Sequence, residues 1–266
     1  DLVSMHPRHG IMNIDVLSFA RLAYRVFEET GTKQMQVLDD EGKNLILRKI
    51  AGDYENKLTV LKGNIKKLGY ISEVKSVISE FTQYDIGEEE IDEMLDHLDE
   101  DSRLYYKLKD IRLLYEGFQD YLRERYITKE ELLDVLNSQV KESELLKNSV
   151  VVLDGFTGFT PVQNRLILEL MRCCKEVWVT VTMDERENPY AYKHPYQLFG
   201  LSKQMITTLV RMAGEDHIEV EEPVCLYGYP VKRFEKNQEL AFLERNIFRY
   251  GSGRYDKAVE NLEIHA

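Results

Sequence analysis

The sequence predicts an α/β protein whose parallel sheet is interrupted by an all-helical domain. Three observations predict it. "SVVVLD", ending at residue 154, is a short Val-rich run suited to a strand buried on both faces of a parallel sheet, and a helical pattern, "VQNRLILELMRCC", and a second apolar run, "EVWVTVTM", follow it. Residues 12–28 begin strand-like and become helical. From about residue 38 to residue 147 every periodic segment is helical. The sheet therefore starts before the helical block and resumes after it. This gives a first part of the α/β core at 1–30, a helical insertion at 31–147 and the remainder of the core at 148–266.

Each element has a local reason. "IMNIDVLSF" leads as a strand to a turn at Ser18, after which Phe19, Leu22, Ala23, Val26 and Phe27 recur at the helical period. Within the block, Ser72 is expected to cap a helix carrying Val74, Val77, Ile78 and Phe81 on one face. Leu104, Leu108, Ile111, Tyr115, Phe118 and Leu122 step along a long amphipathic helix. Thr128 and Glu131 form a capping box ahead of "LLDVL". In the acidic stretch "DIGEEEIDEMLDHLDED", Ile91, Met94, Leu95 and Leu98 form an inward stripe, so the carboxylates read as a solvated outer face; the fixed Asp and Gly offsets of a calcium loop are absent. Another helix is expected over 195–213 after Pro195, with "IEVEEPV" and "VENLEIH" as later strands.

Bulk properties narrow the classes. At 266 residues with 43% apolar content the chain can fill a sizeable core, and it has no run of about 18 apolar residues to span a bilayer. No signal-peptide order opens it, so a cytoplasmic address is expected. A start without Met, in a polar stretch, reads as the inside of a longer chain. Cys173, Cys174 and Cys225 have neither disulfide nor zinc spacing and are expected as buried free thiols, with no metal site. A net charge of −12 excludes a surface broadly coated for nucleic acid, so any such site must be local.

Asp154 stands where a parallel strand ends, the position from which nucleotide-driven motors hold the magnesium on their phosphates. A strand ending in Asp is common in α/β proteins and does not by itself specify a nucleotide site. The longer stretch "SVVVLDGFTGFTPVQNRLILEL" resembles the Walker B region of the UvrD/Rep-like superfamily of DNA helicases: Asp154 falls on the magnesium-binding Asp, Phe156 on the Phe, and Pro161 and Gln163 on the end of the pattern. Gly155 stands in place of the catalytic Glu, and Thr157 and Gly158 in place of the Gln and Asp. Upstream, "LSFARLAYRVF" is similar to the motif with which these helicases grip single-stranded DNA; Ser18, Phe19, Leu22, Ala23 and Arg25 match, and Ala20 replaces a His. Within the superfamily the wording is closest to the AddB family, in "VLSFARLAYRVFEETG", "LDDEGKNLILRKI", "ISEFTQYDI" and "LDGFTGFTPVQ".

The resemblance implies a parallel-sheet helicase core of the P-loop NTPase type, incomplete and 1A-like, with an inserted 1B-like helical domain. It implies a partner, the AddA helicase-nuclease, and single-stranded DNA as ligand in repair and recombination, with no membrane. Mg-ATP and an iron-sulfur cluster are implied for the parent protein and not for these residues. No GxxxxGK[ST] sequence occurs in the chain, so by itself it is expected neither to hydrolyse ATP nor to cut DNA. The family's next motif has a Gln that senses the γ-phosphate; "VTVTMDERENPYAY" has Asp184 but no such Gln. Ser18, Phe19 and Arg21 are the candidate DNA contacts, with Phe19 alternatively a core aromatic. Lys62, Lys66 and Lys67 form either a solvated helix face or a phosphate-tracking edge. Tyr190, Tyr192, Tyr196 and Phe199 around His194 suit base stacking, packing on the partner, or folding back on the sheet. The competing expectation is a scaffold that braces AddA without touching DNA, which the acidic balance favours.

Overall fold

The computed structural model describes residues 2–8, 13–32, 36–65, 67–123, 126–249, 251, 253–260 and 262–263. It divides into two compact units, Asp1–Asp154 with Phe159–Thr180, and Gly155–Gly158 with Val181–Ala266. The first unit contains, in order, α1 (Leu2–Met5), α2 (Phe19–Thr30), β1 (Gln36–Val37), α3 (Asp40–Asp53), α4 (Leu68–Gln83), α5 (Glu88–Asp96) and α6 (Arg103–Leu122). It continues with β2 (Tyr126–Ile127), α7 (Glu131–Gln139), α8 (Glu144–Lys147), β3 (Val150–Leu153), α9 (Pro161–Cys173) and β4 (Glu176–Val179). The second unit holds α10 (Gly200–Glu215) and α11 (Gln238–Asn246).

Short polar side chains start the helices by satisfying backbone N–H groups that the first turn leaves open. Ser18 accepts from Arg21 N, Asp39 from Gly42 N and Ser102 from Tyr105 N. Asp40 and Glu41 add negative charge at the positive end of α3. α2 stops at Gly31, whose φ of 68° is the left-handed conformation that glycine adopts without a Cβ penalty. Thr128 and Glu131 form the expected capping box, each backbone N–H donating to the other's side chain, at 2.7 and 3.2 Å.

The first unit has two separate hydrophobic cores. One is purely helical: α3 packs on α4 and α6, and α5 on α6, around Leu47, Leu61, Ile65, Ile91, Leu114 and Phe118. In the other, α2 packs on α7, α7 on α9, and α9 on β4, around Ala23, Val26, Leu136, Leu166 and Leu170. Val151 and Val177, from the inner face of the β3–β4 pair, join this second core. β3 and β4 are parallel in the register Val150↔Glu176 to Leu153↔Val179, the strand–helix–strand unit that the apolar runs predict.

Several expectations need correction. The strand-like stretch before Ser18 pairs with nothing among the described residues: 14–18 are extended and unladdered, and 11–12 lie outside the described residues. The strand bearing Asp154 therefore has β4 as its neighbour, and not the segment that feeds Ser18. The helical insertion contains strands at its borders, because β1 and β2 pair in parallel, Gln36↔Tyr126 and Val37↔Ile127. Ser72 lies inside α4, which starts a turn earlier after Lys67, and its neighbour Ile71 is buried. β3 is not buried on both faces: Val150 and Val152, with Trp178 of β4, stand 50%, 58% and 48% exposed. The helix expected from 195 begins at Gly200. Residues 218–224 form no strand, nor do 259, 260, 262 and 263, while 261, 264 and 265 lie outside the described residues. The stripe on α5 holds at Ile91, which is fully buried, but Met94 is exposed. Cys173 and Cys174 are half-buried and Cys225 is exposed.

Candidate functional site

β3 ends by delivering Asp154 to the carboxyl edge of the two-stranded sheet, and β4 delivers Thr180 to the same edge. The register that sets Leu153 opposite Val179 makes the next residues neighbours. Thr180 N–H donates to Leu153 O at 3.0 Å, and the Thr180 hydroxyl donates to Asp154 Oδ1 at 2.5 Å. Both residues are at the surface. Gly155 then turns the chain with φ 78°, a conformation that a glutamate at this position would adopt only with strain. Carboxylate and hydroxyl are hard oxygen donors of the kind magnesium takes. Among the described residues no group of three or more His, Cys, Asp or Glu side chains could hold a metal by itself, so an ion here would need phosphate and water oxygens as well. Thr180 was not legible as a site residue from composition; the available signal was its position one residue beyond an apolar run in register with the one that ends at Asp154.

Gln163, which the resemblance sets at the end of the strand-end pattern, serves locally as a cap. Its Oε1 accepts from Thr160 N at 2.9 Å while Thr160 Oγ1 accepts from Gln163 N, with Pro161 in the first turn.

The upstream candidates sit together at the start of α2. Ser18 is exposed and spends its hydroxyl oxygen on the Arg21 amide. Phe19 is half-buried and packs against the second core, the alternative that the sequence left open. Arg21 is exposed, and Arg25 pairs with Asp15 at 3.6 Å. Lys62 and Lys67 are exposed, with Lys67 Nζ donating to Asn64 at 2.8 Å, and Lys66 lies outside the described residues.

In the second unit Asp184 is tied up. Arg186 and Arg249 hold its carboxyl well below the usual range, mainly through the hydrogen bond from Arg186. Glu187 joins the same network through Lys203 at 2.6 Å and Arg249 at 3.0 Å, so Asp184 is a structural anion and not a spare one. Of the aromatics, Tyr196 is 81% exposed and stacks on His194 with ring centres 4.9 Å apart, Tyr190 is exposed, and Tyr192 and Phe199 are half-buried. Burial pushes the Cys174 thiol up to about 11 and raises that of Cys173, so neither is a ready thiolate ligand. No described helix is long and apolar enough to cross a membrane.

Comparison with known proteins decides the family. The model for "ADDB, N-terminal" matches residues 1–244. The chain belongs to the AddB N-terminal family. Among AddB relatives, the ATP-dependent helicase/deoxyribonuclease subunit of Lachnoclostridium phytofermentans is 41% identical over 100% of this chain and 23% of that protein. Proteins of the same name from Clostridium acetobutylicum and Clostridium kluyveri are 30% and 33% identical over 99% of the chain. The chain thus spans less than a quarter of the length of the AddB relatives it matches, 22–23%.

Proposed function

We propose that the chain is part of a helicase-shaped subunit that handles single-stranded DNA in double-strand break repair and recombination without hydrolysing ATP at Asp154. The observation that carries this reading is the lone carboxylate at the strand end. Asp154, supported by Thr180, suits magnesium, but Gly155 offers no group to orient water or accept its proton, a contribution of roughly 100-fold or more in rate. In this reading residues 1–30 and 148–266 belong to a 1A-like core and 31–147 to a 1B-like insertion. The separate helical core and the open face of the β3–β4 pair support that division, because a parallel sheet is ordinarily covered on both faces. DNA contact is assigned to the start of α2, where Ser18 and Arg21 are exposed. The AddA partner, Mg-ATP and the iron-sulfur cluster belong to the full-length protein.

The test uses that full-length protein. Gly155→Glu is expected to add little ATPase, whereas Arg21→Ala weakens single-strand binding with a shallower salt dependence, by about one counterion. Unchanged binding of Arg21→Ala at low salt would remove Arg21 from the interface, and robust ATPase in Gly155→Glu would show a motor intact but for one residue. The net charge of −12 favours a second reading, a scaffold that braces AddA without touching DNA. Absence of binding by the unsubstituted protein would favour it.

A further inference from the structure

The two cores of the first unit are joined by few links. The chain enters the helical body, α3 to α6, just beyond β1 and leaves it just before β2. These two crossings are tied to each other by a two-residue parallel ladder and by the Leu38 N–H, which donates to Ile127 O at 2.9 Å. So short a ladder is marginal on its own. Beside it the buried Lys43 of α3 pairs with Glu130, just before α7, at 2.7 Å.

A separate link lies on α9. Arg165 Nη2 donates to Asp134 of α7 at 2.8 Å, within its own body, while Nη1 donates to Asp85 of the helical body at 2.5 Å. Asp85 follows α4 in the left-handed region, φ 61°, a conformation in which Asp is tolerated and most side chains are not. Its carboxylate is thus presented from a turn rather than from a helix face. The side chains are 38% and 63% exposed, so the pair is screened by water and easily reversed.

We infer that the helical body is hinged on the β1–β2 ladder, and that Arg165 and Asp85 form a clasp that sets its angle. The ladder with Lys43 and Glu130 is the pivot. The clasp is the weaker link, open to release by salt or by a competing anion at Arg165. Hinges of this kind need only a few residues at element ends to absorb the motion.

Hydrogen exchange read by mass spectrometry on the full-length protein tests this. Arg165→Ala and Asp85→Asn, the latter retaining the side-chain size and the left-handed preference, are expected to speed exchange about two- to five-fold at residues 37–39 and 127. High salt should do the same to the unsubstituted protein. Amides of Leu114–Phe118 and Leu166–Leu170, inside the two cores, should keep their rates. Unchanged exchange at the ladder in both variants would overturn the proposal. Acceleration of both cores together with the ladder would overturn it too, since Arg165 would then be an ordinary stabilising residue.

Discussion

Lys43 is 2% exposed, and its ammonium group donates to both Glu130 oxygens and to Ser79. An ion pair taken out of water gains little over an apolar pair, but removing one partner strands the other. Burial alone would raise the Glu130 pKa, yet the hydrogen bond and charge of Lys43 outweigh it and hold the group below its ordinary 4.5. Unfolded Glu130 therefore takes up its proton first as pH falls. Its contribution to stability is complete above about 4.5 and is lost as pH drops through the lower folded value. Lys43→Met is expected to cost about 3 kcal/mol near neutral pH, and the deficit should narrow in acid, where Glu130 can be neutral. Urea denaturation at neutral and acidic pH measures both; a deficit that does not change with pH would mean lost packing and not a stranded charge. Asp110 is a second interior anion at this scale, accepting from the amides of Thr59, Val60 and Leu61 and so fixing the loop after α3 to α6.

At the scale of elements, α3 and α6 approach closely because Gly117 has no side chain. A Cβ there would lie 2.8 Å from the Tyr54 ring and 2.9 Å from Ile50 Cγ2. Alanine gains about 1 kcal/mol in helix propensity over glycine, while overpacking costs about 1–3 kcal/mol, so Gly117→Ala is expected to lose about 1 kcal/mol net. Gly52 of α3 has nothing within 4 Å of its would-be Cβ, so Gly52→Ala should gain up to about 1 kcal/mol. Thermal melts of the two variants are expected to shift in opposite directions, and a shift of the same sign would mean that propensity alone governs both. The long helix at 103–122, the capping box at Thr128 and the strand–helix–strand unit at 150–179 were legible because each depends on neighbours a few residues apart. The start of α4 was not: buried Ile71 draws the helix back past Ser72, and packing outweighs a possible cap.

For the whole molecule, the open face of the β3–β4 pair is the feature that bears on function. Trp178, the one tryptophan of the chain, stands on that face beside Val152 and is 48% exposed. Its emission is expected to be that of a wet indole in this chain and to shift to the blue in the full-length protein, where further structure covers the sheet. Accessibility to acrylamide should fall in parallel. Emission and quenching that match in the two proteins would show that the face remains bare and would weaken the assignment to a larger sheet.

The strand-end carboxylate, the glycine beside it, the helix start at Ser18 and the helical character of the intervening block were all determined by the sequence, because residue order and short-range periodicity suffice to set them. The tertiary structure alone decided that Thr180 meets Asp154, that Asp184 is consumed by Arg186 and Arg249, and that Arg165 reaches Asp85 across 80 residues. Those pairings depend on the register of separate strands and the approach of separate bodies, which no local pattern encodes.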